Sequence, residues 1–193
     1  VTTAGADPVV TTPIGPGAFV AVVGASGVGK DALIAYVRER TPDTVRYPRR
    51  TVTRPSGPGE EHDPVDEESF EAATGSGAFA VHWRAHGLGY GIPAVVDREV
   101  LAGRTVVVNV SRGVLRALAD RYERLLVVRV TLSDVVRAER LRARGREVGD
   151  AVTARMDRPD PAPDQHVDVE IENDGPLERG GEALLRVVLG VTR

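Results

Sequence analysis

The chain has 193 residues, enough for one domain with a full core, and its 41% hydrophobic and 27% charged residues are ordinary globular values. A net charge of −3 gives no sign of a polyanion-binding surface, and the lack of cysteine excludes a disulfide framework, a thiol nucleophile and a thiolate zinc site. No apolar run approaches the roughly 20 residues of a membrane helix, and the first basic residue is Lys30, so a cytoplasmic protein without a secretory signal is expected.

Residues 1–17 carry Thr, Pro and Gly without periodicity and predict a flexible lead-in, with a single domain over 18–193. Phe19–Val23 is apolar and β-branched and reads as a buried parallel strand. It runs into Gly24-Ala25-Ser26-Gly27-Val28-Gly29-Lys30-Asp31, after which Leu33, Ile34 and Val37 recur at helical spacing. Strand, glycine-rich loop and helix form the context of a Walker A loop. Its glycines let backbone N–H groups curl around phosphate oxygens, the helix N-terminus adds a favourable dipole, and the lysine reaches the β- and γ-phosphates. Gly24 to Asp31 are therefore candidate nucleotide-binding residues. Lys and Arg together number 25, yet Lys30 is the only lysine. A codon bias toward arginine would then have been resisted at the one place where a compact ammonium must enter a tight loop. Asp31 stands where the general motif has Ser or Thr to hold Mg²⁺. It is the candidate metal residue, binding directly or through water, or else an acid that favours the helix N-terminus.

Beyond the first helix, Thr44–Thr53 reads as an extended segment carrying Arg46, Arg49 and Arg50, and residues 54–62 as a breaker-rich loop. A short helix is predicted over Asp66–Ala73, a strand over Ala78–Trp83, and a helix over Pro93–Leu101. Gly87, Gly89 and Gly91 read as turn formers around Tyr90. Strands at Thr105–Val110 and Leu125–Thr131 flank a helix over Gly113–Tyr122. Ser133 is placed to cap a helix running to Arg144, a second helix spans Val148–Arg158, and a strand at Val167–Ile171 precedes a closing helix over Pro176–Leu189. The alternation predicts an α/β protein with a parallel sheet wrapped by helices.

Two groups of basic residues remain. Arg140 and Arg144 lie one helical turn apart and Arg155 approaches from the next helix, so a lid at about 137–160 would set three guanidinium groups against a transferring phosphoryl group. Arg137, Arg142, Arg146 and Arg158 read as solvated. Arg49, Arg50, Arg54, His62, Arg84, His86 and Arg112 lie on segments expected to face one cleft, which suits an anionic acceptor. His82 and His86 fall on strand and turn and do not read as a metal pair. No nucleophile elbow supports a hydrolase triad.

From Phe19 to Leu189 the chain resembles the guanylate kinase-like family of P-loop kinases, and within it the subgroup that phosphorylates ribose 1,5-bisphosphate to phosphoribosyl diphosphate in phosphonate breakdown. The resemblance is carried by Gly27-Val28-Gly29-Lys30-Asp31, Thr53-Arg54, Glu61-His62, Trp83–Gly91, Asn109-Val110-Ser111-Arg112, Arg144-Gly145-Arg146-Glu147 and Asn173-Asp174-Gly175. It implies ATP and Mg²⁺ as cofactors, an acceptor-binding region at about 46–92, and Asn173 near the adenine. It further implies Arg50, Arg54, Glu61, His62, Tyr90, Ser111 and Arg112 at the acceptor, and Lys30, Arg140, Arg144 and Arg155 on the transferring group. Guanylate kinases of this family carry a second arginine where Gly57 stands, a base-reading glutamate where Val81 stands, and Ser or Thr where Ile92 stands. Loss of those groups implies a phosphorylated sugar without a base, because hydrogen-bond readout is what discriminates polar substrates. The expected partner is that small molecule, not nucleic acid or a membrane, with the chain acting as a monomer or homodimer. A nucleoside monophosphate kinase and a non-catalytic guanylate kinase-like binding module are the alternatives.

Overall fold

The computed structural model describes residues 12–57, 61–133, 135–136 and 166–192. In chain order the elements are β1 (Ala18–Val23), α1 (Lys30–Arg38), β2 (Val45–Arg46), β3 (Arg50–Val52), β4 (His62–Pro64), α2 (Glu67–Gly75), β5 (Phe79–Ala85) and β6 (Leu88–Pro93). They continue with α3 (Val95–Leu101), β7 (Thr105–Asn109), a 3₁₀ turn at Arg112–Val114, α4 (Leu115–Arg121), β8 (Leu125–Thr131), β9 (Val169–Glu172) and α5 (Leu177–Val191).

The central sheet has the order β2-β7-β1-β8-β9 and is parallel throughout. All six residues of β1 are buried, as a strand covered on both faces requires. Side chains alternate across it. Phe19, Ala21 and Val23 join Val106, Val108 and Val127 against Val96 and Val100 of α3 and Leu115 and Leu118 of α4. Val20 and Val22 join Val107, Val128 and Val130 against Leu33, Ile34 and Val37 of α1 and Leu184 and Val188 of α5. The sheet is thus a layer between two helical layers, with its central strand aimed at the glycine loop.

A second sheet, β4-β3-β6-β5, is mixed: β3 and β4 run parallel, whereas β6 is antiparallel to both β3 and β5. His86 and Gly87 close the β5–β6 hairpin with φ of 58° and 74°, the paired positive values of a two-residue turn. One face of this sheet sends Val81, Ile92 and Trp83 toward the core shared with the central sheet. The other carries Gly89 and Gly91 beneath the rings of Phe70 and Phe79.

Several expectations change at this level. The extended segment over 44–53 divides into β2 and β3, and part of the expected 54–62 loop enters β4 at His62. Gly89 and Gly91 are strand residues, not turn formers; a Cβ at either would come within 2.7 or 2.5 Å of a phenyl ring. Pro93 closes β6 and does not open the helix that follows. Within the lead-in, Ile14 pairs with Tyr122: its N–H donates to the Arg121 carbonyl at 2.8 Å and its carbonyl accepts from Glu123 at 3.0 Å. The lid expected at 137–160, with Arg140, Arg144 and Arg155, lies outside the described residues. Among the described residues no helix is long and apolar enough to cross a membrane.

Candidate active site

The loop between β1 and α1 is shaped by Gly24, Gly27 and Gly29, with φ of 150°, 88° and 94°. A Cβ on Gly24 would lie 2.4 Å from the Val130 carbonyl oxygen, so the loop leaves β1 pressed against the end of β8. Turns of this kind make successive backbone N–H groups converge into an anion-binding concavity. Lys30 opens α1 and folds back, donating from Nζ to the carbonyls of Gly24 at 2.7 Å and Ala25 at 2.9 Å. Its ammonium is held over the loop before any ligand arrives. Gly24, Ala25 and Val28 line a cavity of about 190 Å³ together with Arg112 and Val130.

Asn173, at the end of β9, is buried and donates from Nδ2 to the Val28 carbonyl at 2.8 Å, while its own N–H donates to Thr131 at 2.9 Å. It ties the loop to the ends of β8 and β9. Asp31 meets two other elements: Asn109, ending β7, donates from Nδ2 to Asp31 Oδ1 at 2.9 Å, and the Arg50 guanidinium at the start of β3 lies 3.6 Å from the same oxygen. Asn109 did not emerge as a site residue from the sequence. Its signal was one amide at the end of the buried run Thr105–Asn109.

On the acceptor side, His62 is almost fully buried and its Nε2 donates to the Arg54 carbonyl at 3.0 Å. The His62 carbonyl accepts from Ser56 Oγ at 3.0 Å and Arg49 at 2.9 Å. These bonds set the path of the chain that carries Arg54. Tyr90 stacks on Trp83 with centroids 5.3 Å apart and planes 5° from parallel, a flat aromatic pair on the core-facing side of the second sheet. Ser111 accepts from the N–H of Gly113 at 3.3 Å and caps the turn that begins with Arg112.

Two residues expected at the cleft are engaged elsewhere. Glu61 pairs with Arg38 of α1 in an exposed contact, and that guanidinium holds its carboxyl below the usual glutamate range. Arg84 points to the outer side of the second sheet, where Glu67 and Glu71 of α2 pair with it. That placement removes Arg84 from the basic group proposed for an anion, because its charge is balanced by two carboxylates.

A parallel sheet with a glycine loop and lysine at the head of its central strand, joined to a small mixed sheet, defines a P-loop kinase of the guanylate kinase fold. The guanylate kinase of Anaplasma phagocytophilum matches it with a TM-score of 0.70 over 93% of this chain and 88% of that one, at 16% identity. In sequence the chain is 64% identical over 179 residues to ribose 1,5-bisphosphate phosphokinase PhnN of Pseudofrankia inefficax, covering 93% of this chain and 94% of that protein. The protein of the same name from Chelativorans sp. is 46% identical over 184 residues, covering 91% and 87%. No family model matches the chain. The chain belongs to the ribose 1,5-bisphosphate phosphokinase family.

Proposed function

We propose that this chain transfers the γ-phosphoryl group of ATP to the 1-phosphate of ribose 1,5-bisphosphate, giving ADP and 5-phosphoribosyl 1-diphosphate. The observation that carries the reading is the 64% identity with a relative of that name over almost the whole of both chains. An oxygen of the acceptor 1-phosphate forms the new bond to Pγ as the bond from Pγ to the bridging oxygen breaks, and the electron pair leaves on ADP. The attacking oxygen is ionised at neutral pH, so alignment and charge neutralisation suffice and no general base is needed.

Lys30 exchanges its two loop carbonyls for β- and γ-phosphate oxygens. Arg50, Arg54, Tyr90, Ser111 and Arg112 hold the acceptor; His62 acts through the Arg54 backbone, and Glu61 through its pair with Arg38. Asn173 serves the nucleotide by bracing the loop from below. Arg140, Arg144 and Arg155 clamp the transferring group, an assignment that rests on sequence alone. Val81 is buried and, at the position where the resemblance to guanylate kinases puts a base-reading carboxylate, itself offers no group to hydrogen-bond a purine edge. Asp31 suits Mg²⁺: it is a hard oxygen donor at the end of the phosphate loop, and the Asn109 and Arg50 contacts both fall on Oδ1. Held by Asp31, the ion would supply positive charge to offset that of the nucleotide phosphates.

The test is an acceptor panel of ribose 1,5-bisphosphate, ribose 5-phosphate, GMP and AMP with Mg·ATP, following ADP release and the mass of the product. Turnover confined to ribose 1,5-bisphosphate is expected. Turnover of GMP in its place would overturn the acceptor reading, and silence on all four with ATP still bound would favour a binding module.

A further inference from the structure

We infer that Asn109 is a positioning residue for the metal-bound nucleotide: its amide pins one oxygen of Asp31 and leaves the other for the divalent cation. The inference deepens the nucleotide half of the proposed function, on which it rests, and is independent of the acceptor.

Asn109 lies in register with Val22 in the parallel pairing of β7 with β1, so it sits level with the last turn of chain before the glycine loop. It is buried, at 8% exposure, and its backbone is fixed in the central sheet. Asp31 is different. It follows Lys30 in the first turn of α1, and its side chain is about half exposed, at 48%. Left alone, such a carboxylate would sample several rotamers, and ordering it would oppose metal binding. The rigid amide removes that freedom through the 2.9 Å bond to Oδ1, and Arg50 approaches the same oxygen at 3.6 Å. Both contacts fall on Oδ1. The arrangement has the form found around metal ligands, where an outer hydrogen-bond donor orients a carboxylate whose other oxygen binds.

The choice of amide over acid at position 109 follows from the same geometry. A carboxylate there would have no proton to give Oδ1 and would set a second negative charge against it at hydrogen-bond distance. Asparagine donates and adds no charge. It therefore orients the one carboxylate the loop possesses and does not compete with it.

The experiment measures Mn²⁺ binding, by electron paramagnetic resonance and calorimetry, to the full chain with a non-hydrolysable ATP analogue and no acceptor. The analogue alone is titrated in parallel in EDTA. Asn109→Leu is expected to weaken Mn²⁺ binding in the ternary complex by about ten- to a hundredfold, the usual cost of losing an outer partner, and to leave metal-free analogue affinity unchanged. Asp31→Asn should lose at least as much, and the double variant no more than Asp31→Asn alone, since the Asn109 amide acts only through that carboxylate. Wild-type Mn²⁺ affinity in Asn109→Leu, equal losses with and without metal, or additive losses would each overturn the inference. If Asn109→Leu does not fold, Asn109→Ala takes its place in the same titrations, and wild-type Mn²⁺ affinity there would overturn the inference. If these metal results hold but ribose 1,5-bisphosphate is not phosphorylated, the acceptor reading falls and this one stands.

Discussion

Replacing Gly91 by alanine adds one methyl group to the middle of β6, at a point where the fold has no room for it. The new Cβ would lie 2.5 Å from Cδ1 and Cε1 of Phe79 and 2.7 Å from its Cζ. Phe79 is half-buried, and an inward shift is opposed by Phe70, whose ring stands 5.2 Å away, with the ring of His82 at 6.4 Å. Phe70 is itself fully buried and rests over Gly89, where a Cβ would approach its Cε1 to 2.7 Å. Relief comes from the strand, from α2 or from an outward turn of the half-buried Phe79, and overpacking of this kind costs about 1–3 kcal/mol. For a domain of this size that is a fall in Tm of roughly 2–4 °C per kcal/mol, or about 2–12 °C in all. The displacement also has a functional direction. Gly91 pairs with Thr51 and His82, and its neighbour Tyr90 pairs with Val52 and Trp83, so the acceptor KM should rise more than the affinity for ATP falls. Calorimetry and steady-state kinetics measure both effects. Gly75→Ala is the control: it makes the same chemical change at the end of α2 with nothing within 4 Å, and should leave Tm unchanged or raise it. A Gly91→Ala protein that melts with its parent would refute the argument, because it would mean the Phe79 ring moves aside freely.

Lys30→Ala should lower kcat by at least about 10²–10³-fold, the usual loss for one preorganised donor to a developing charge, while circular dichroism stays native. A folded variant with near-parental ADP release would remove the phosphate loop from the mechanism. His62→Ala leaves the Arg54 carbonyl without its donor and should cost about 1–3 kcal/mol in urea unfolding, with a rise in acceptor KM and little change in ATP affinity. Equal losses for both substrates would contradict the positioning role. Arg104, and after it Arg46, hold the Glu99 carboxyl below its ordinary value of 4.5. A depressed folded value means this stabilisation is complete above 4.5 and disappears as pH falls through the folded value. Glu99→Gln should therefore be less stable than the parent near neutrality and converge with it in acid; parallel Tm–pH curves would show that the pair contributes nothing.

Local chemistry determined the first third of the site. A β-branched run, glycines at fixed spacing, one lysine and a helical repeat are all contiguous, and each backbone preference agrees with the next, so β1, the phosphate loop and α1 were legible without any long-range contact. The strand at 125–131 was legible for the same reason, being a run of apolar and β-branched residues broken only by Arg129. Strand β6 of the second sheet was not. Leu88-Gly89-Tyr90-Gly91 has weak strand preference, and only the rings of Phe70 and Phe79, brought from α2 and β5, make glycine the residue that fits there. Charge marked Arg84, and the family resemblance Glu61, as cleft residues, whereas folding set them against Glu67 and Glu71 and against Arg38. Asp31 and Asn109 stand 78 residues apart, and neither predicts the other. Their meeting depends on β7 lying in register beside β1, so the residue that aims the carboxylate is chosen by sheet topology, which no local preference encodes.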